Sequence, residues 1–110
     1  MQTALAVSGP PAAFLAGMNQ GERQKAKEAA AKEAAAYRRA LAKRLVDARH
    51  AAKKTQMELA HDAGISLASL QGYESGKREP QFVTAFLLAA ALGLSTQELL
   101  FGAKGKASAP

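Results

Sequence analysis

Two capped helical segments with only three residues between them constrain this chain more than any other feature. Thr55-Gln56-Met57-Glu58 is a capping box, in which hydroxyl and carboxylate satisfy each other's backbone amides, and the run it opens stops before Gly64. Ser66 caps the second segment, with Ile65 and Leu70 placed as a hydrophobic staple across the cap, and that segment runs to about Ser75. Ala63-Gly64-Ile65 must therefore reverse the chain sharply and leave the second segment crossing the first at a steep angle. Gly64 supplies the left-handed backbone that the turn needs, Ile65 plugs the angle, and Ala60 is small enough to let the helices approach.

The rest of the stretch from 38 to 102 carries signals of the same kind, which predict five helices with short connections and no strand. Leu41, Leu45 and Ala48 share one face of the first helix. Pro80 opens the fourth and Gly93 closes it, while Ser95-Thr96-Gln97-Glu98 caps the fifth with Leu94 and Leu99 as its staple. Of the 53 apolar residues 27 are Ala, so 26 larger side chains must fill the core. That suffices for roughly 60 to 70 folded residues.

The remainder divides accordingly. Residues 1–20 hold no charged side chain, contain Gly9, Pro10, Pro11 and Gly17 and show no period, as expected of a flexible arm. Residues 21–37 form an Ala-rich basic helix continuous with the first helix, similar to an EAAAK spacer and carrying a Glu28 to Lys32 pair. A tight coiled coil through Ala26, Ala30, Ala34, Tyr37 and Leu41 is the lesser alternative, since that stripe holds only one Leu and no Ile. Residues 103–110 are small, polar and uncapped, the composition of a disordered tail.

Charge is equally local. Residues 21–54 hold 11 Lys and Arg against 4 Asp and Glu, whereas residues 55–110 hold 4 against 5. So dense a cationic segment attracts polyanions, nucleic acid before anionic membrane. No window approaches the ~20 apolar residues of a membrane span, and the opening lacks the charge and apolar run of a secretory signal, so a cytoplasmic protein is expected. With no Cys there are no disulfides or thiolate metal sites, and no cofactor is expected. His50 and His61 lie eleven residues apart with no nucleophile at matching spacing, and no GxxxxGKS loop is present, so the chain is not expected to be an enzyme.

The segment TQMELAHDAGISLASLQGYESGKREP followed by FLLAAALGLSTQELL resembles the helix-turn-helix domain of the Cro and lambda-type phage repressors, the XRE-type transcription regulators. The likeness covers about Arg38 to Gly102 and rests on Thr55 with Gln56, Leu59-Ala60, Gly64-Ile65-Ser66, Glu74-Ser75-Gly76-Lys77 and Pro80 at the family's spacing. It implies an all-α, five-helix lambda-repressor-like DNA-binding domain, here with an N-terminal Ala-rich helical extension. Its function would be that of a sequence-specific regulator, a repressor binding double-stranded DNA as a homodimer on a pseudo-palindromic operator through the third helix. No self-cleaving protease domain is expected, because the chain stops too soon after the fifth helix.

Helix N-termini present amides and a positive dipole end, so Thr55 and Ser66 stand where phosphates are held. Gln56 adds a side-chain donor, as the matching Gln does in the family. Lys77 and Arg78 reach the DNA backbone from the other side, and Arg44, Lys53 and Lys54 thicken the same basic surface. Ser69 and Ser75 are further phosphate candidates, although a local backbone bond competes for Ser69. Leu70 and Tyr73 face inward, which leaves Leu67, Ala68, Gln71 and Gly72 toward the bases. Gln71 is the best reader, since an amide pairs bidentately with adenine, whereas Leu67 and Ala68 replace the family's usual polar readers and offer apolar contact such as to thymine methyls.

The resemblance also pairs Arg49 with Glu74 between the first helix and the end of the third, a structural ion pair. The family pattern buries Phe82, Phe86, Leu88, Ala89 and Leu92. Val83, Leu87 and Ala90 then form a second apolar stripe, which needs cover from a second subunit or from the chain's own arm. The family's dimerisation near the fifth helix, where Phe101 stands, favours the subunit. The alternatives are an antitoxin-like autorepressor whose residues 1–36 bind a protein partner, and a scaffold that does not bind DNA.

Overall fold

The computed structural model describes residues 16–102 and divides the chain into two compact units, Met1–Ala34 and Ala35–Pro110. The tail expected over 103–110 lies outside the described residues, as does the expected arm up to position 15. Among the described residues there are five helices and no strand: α1 (Gln20–Ala51), α2 (Gln56–Ala63), α3 (Leu67–Glu74), α4 (Phe82–Leu92) and α5 (Thr96–Phe101).

In the first unit, Asn19 and Glu22 cap α1 reciprocally: the Glu22 amide donates to Asn19 Oδ1 at 2.8 Å and the Asn19 amide to Glu22 Oε1 at 3.0 Å. The Ala-rich stretch that follows has mostly exposed side chains up to Glu33, so its helicity there rests on local propensity.

The core of the second unit draws a leucine from every helix. Leu41 and Leu45 of α1, Leu59 of α2, Leu70 of α3, Leu88 of α4 and Leu99 of α5 are essentially inaccessible to solvent, and each contributes about 2 kcal/mol by burial. Around them α2 packs on α3 and α4, and α4 on α5. The caps are those the sequence predicts, with complete boxes at Thr55 and Ser95 and with Ser66 Oγ accepting from the Ser69 amide. Gly64 takes φ 73° and its amide donates to the Ala60 and His61 carbonyls, closing α2 before the turn. At the end of α1 a non-glycine residue, Lys53, takes the left-handed conformation at φ 57°.

Two expectations for α4 fail. The helix opens at Phe82 behind an extended Gln81, with Pro80 buried just ahead of it, so Pro80 guides the entry and does not start the helix. Phe82 and Phe86 are not buried: they are 67% and 53% exposed, and Ala85, Leu88 and Ala89 occupy the core. Placing the methyl of Ala85 against the neighbouring helices rotates both phenylalanines onto the flank, beside Val83, Leu87 and Ala90. Phe82 and Phe86 therefore join Val83, Leu87 and Ala90 in one exposed apolar face, while Leu88 and Ala89 stay in the core.

Candidate nucleic-acid interface

The local chemistry of the turn directs one side of α3 outward. Leu70 and Tyr73 anchor it in the core; Ala68, Gln71 and Ser75 are exposed, while Leu67 and Gly72 are half-buried. The N-termini of α2 and α3 both end in side-chain caps, which leave further first-turn amides without intrahelical partners. The hydroxyls at the two ends of α3 already have partners: Ser66 Oγ donates to Ser69 Oγ at 2.9 Å at its start, and Ser75 Oγ donates to the Gly72 carbonyl at 3.0 Å at its end.

A relay of polar side chains runs from the buried ion pair to the outer face of α3. Arg49 grips Glu74 with two bonds, Nε to Oε2 at 2.7 Å and Nη2 to Oε1 at 3.0 Å, and its Nη1 donates to the Lys54 carbonyl at 3.0 Å. The two side chains are only 12% and 5% exposed. Glu74 Oε1 also accepts from Gln56 Nε2 at 2.9 Å, and Gln56 Oε1 accepts from Gln71 Nε2 at 3.3 Å. This orders the amide of Gln71, since Gln56 is itself oriented by a carboxylate that the arginine holds. The sequence places Arg49 against Glu74 by resemblance and Gln56 and Gln71 separately at the interface. That the four form one chain was not read from it, although the short turn between α2 and α3 is what brings 56 beside 71.

Other expected contacts separate. Lys77 and Arg78 are exposed after α3, and Lys53 is exposed at the end of α1. Arg44 is engaged within the fold: its Nε donates to the Leu99 carbonyl at 2.7 Å and its Nη2 to the Leu100 carbonyl, so it caps the C-terminus of α5. Lys54 likewise bridges Asp62 at 2.7 Å and the Ala91 carbonyl at 2.9 Å. The hydrogen bond from Lys54 holds the Asp62 carboxyl below its ordinary range. Phe101 remains exposed, with its ring 6.4 Å from that of Tyr37. Burial, with the charge of Glu79, pushes the Tyr37 phenol up.

His50 and His61 are both exposed, and His61 stands 3.7 Å from Asp62. Among the described residues no three His, Asp or Glu side chains gather as a metal cluster, and no helix is long and apolar enough to cross a membrane.

Residues 39–99 match the model of the helix-turn-helix family. Over 56 residues, 51% of the chain, the sequence is 43% identical to the cryptic phage CTXphi transcriptional repressor RstR of Vibrio cholerae serotype O1. The match covers 50% of that repressor, so the chain spans about half the length of the curated relative it matches. No solved structure is matched.

Proposed function

Because the chain belongs to the helix-turn-helix family, of the Cro and lambda-repressor type, we propose that residues 38–102 form a DNA-binding domain that represses transcription by laying α3 in a major groove. The observation that carries this reading is the relay from Arg49 through Glu74 and Gln56 to Gln71, which holds a hydrogen-bonding amide ready on the exposed side of α3. Gln71 reads a base edge, with Leu67 and Ala68 as apolar neighbours. Thr55, Gln56 and Ser66 at the helix starts, with Lys53, Ser69, Ser75, Lys77 and Arg78, line the phosphates.

The apolar face of α4 supplies the second half of the reading. Phe82, Val83, Phe86 and Leu87 are all at least 40% exposed on a single helix. A contiguous patch of this kind marks an interface, and a second copy is the occupant that gives a repressor two α3 helices for two half-sites of a pseudo-palindromic operator.

Amide chemical-shift mapping on titration with duplex DNA tests the site. The largest changes are expected at Thr55, Gln56, Leu67, Ala68, Gln71 and Lys77. Shifts confined to α5, or no binding at low salt, overturn the assignment. Sedimentation of the full chain at tens of micromolar tests the dimer: a species twice the chain mass that Val83→Glu reduces to monomer is expected, and a wild-type monomer contradicts it.

A further inference from the structure

Gly72 and Arg78 are bound to each other more closely than their separate places in the sequence suggest. After α3 the chain folds back so that the amides of Lys77 and Arg78 both donate to the Gly72 carbonyl at 3.1 Å. The stem of Arg78 then lies across Gly72 itself: a Cβ at position 72 would stand 2.8 Å from Arg78 Cδ and 3.3 Å from Cγ. Beyond it, the Arg78 guanidinium carbon sits over the ring of buried Tyr73, 5.5 Å from its centroid. Glycine is needed at 72 for this close approach, since an αR helix position makes no other demand for it.

The guanidinium so held keeps its donors available. Arg38 donates to the Gly76 carbonyl, Arg44 to the end of α5 and Arg49 to Glu74. The Arg78 side chain, among the described residues, has its contact with the Tyr73 ring and no hydrogen bond or ion pair. A guanidinium held over a ring by its charge spends none of its N–H groups on that contact, and the N–H fork remains for an anion. Position also favours an anion. Gln71 is turned toward α2, where Gln56 holds it, and Gly72 lies about 100° further round the helix, toward the other flank. A helix in a major groove has a phosphate strand along each flank.

We propose that Gly72 is a positioning residue: its missing Cβ seats Arg78 against Tyr73, and the seated guanidinium grips a DNA phosphodiester on the flank of α3 opposite Gln56. This rests on the DNA-binding reading and assigns Gly72 an action through Arg78 in place of a base contact of its own.

The test compares the wild-type chain with Gly72→Ala, Arg78→Ala and the double variant for binding to a fluorescent duplex across a salt series. The shifts of the Arg78 side-chain protons, expected to be moved upfield by the Tyr73 ring beneath the guanidinium, are recorded without DNA. Ala is the better helix former, so the fold survives at position 72. Arg78→Ala is expected to weaken binding roughly tenfold at low salt and to lower the salt slope by about one. Gly72→Ala should release the ring-current shift and reproduce most of that loss, and the double variant should bind no more weakly than Arg78→Ala.

Losses that multiply in the double variant mean that the added methyl meets DNA directly, and they overturn the proposal. An unchanged ring-current shift in Gly72→Ala overturns the seat, and an Arg78→Ala loss confined to particular base sequences overturns the phosphate assignment. If the wild-type chain binds no duplex, the DNA-binding reading and the proposed ligand fall together, while the shift still decides whether the seat exists.

Discussion

Replacing Arg49 by Met removes one half of a nearly buried ion pair and leaves the other in place. Glu74 is 5% exposed and loses both bonds from Arg49, keeping only the one from Gln56 Nε2; the Lys54 carbonyl loses its donor as well. Stranding a buried charge costs about 3 to 5 kcal/mol, and the 12% exposure of the Arg49 side places this case in the lower half of that range, at about 3 to 4 kcal/mol. A domain of some 65 residues holds roughly 3 to 10 kcal/mol in total, so the loss is comparable with the whole stability and lowers Tm by roughly 12 to 32 °C.

Near-UV circular dichroism during a urea titration isolates the effect. Tyr37 and Tyr73 both belong to the unit Ala35–Pro110, the chain has no Trp, and the Ala-rich part of α1 does not contribute to that signal. Because Arg49→Met can fail to fold outright, Arg49→Met with Glu74→Leu is the necessary companion. Removing both charges removes the stranded carboxylate, and the double variant is expected to recover most of the loss. A single variant costing less than about 1 kcal/mol refutes the reasoning, because such a value belongs to a solvent-screened pair. A double variant as unstable as the single refutes it too.

Three further outcomes follow from the same geometry. Arg44→Ala should lower stability by about 1 to 3 kcal/mol through the uncapped Leu99 and Leu100 carbonyls, with DNA affinity unchanged; weakened binding at full stability would return Arg44 to the phosphate surface. Gly64→Ala should cost about 1 to 2 kcal/mol, because φ 73° is left-handed while nothing within 4 Å blocks the methyl, so the loss measures backbone strain alone in a denaturant melt. The Asp62 carboxyl, held below its ordinary range by Lys54, stabilises the fold fully above the unfolded carboxylate value near ~3.9 and loses that contribution as pH falls through its lower folded value. An NMR titration of Asp62 in wild type and Lys54→Met should show the midpoint rise in the variant, and an unmoved midpoint would remove Lys54 as the cause.

Most helix boundaries of the second unit were legible because each is written in a few adjacent residues, the start of α4 at Phe82 being the exception. Thr55 with Glu58, Ser66, Gly64, Gly93 and Ser95 with Glu98 all act within one turn, and the structure uses them as read. The Asn19 to Glu22 cap of α1 is written in the same way, in front of an Ala-rich run whose helix propensity is the stronger signal. What was not legible depends on contacts distant in sequence. The phase of α4 is set by how closely Ala85 is drawn into the core, so the family pattern, which places Phe82 and Phe86 inside, does not hold for them here. Arg44 looks like one more member of a basic stretch until α5 brings its last carbonyls beside it. The link from Gln56 to both Glu74 and Gln71 likewise requires α2 and α3 to be folded against each other.

The most direct test of the account is selection of bound sequences from a randomised duplex pool at two salt concentrations, with Gln71→Ala in parallel. An enriched two-fold symmetric site is predicted, with the preference relaxed by Gln71→Ala at particular bases in each half and retained elsewhere. Binding without an enriched motif that vanishes at the higher salt would contradict it, leaving the basic segment as a nonspecific anchor and α3 without a reading role.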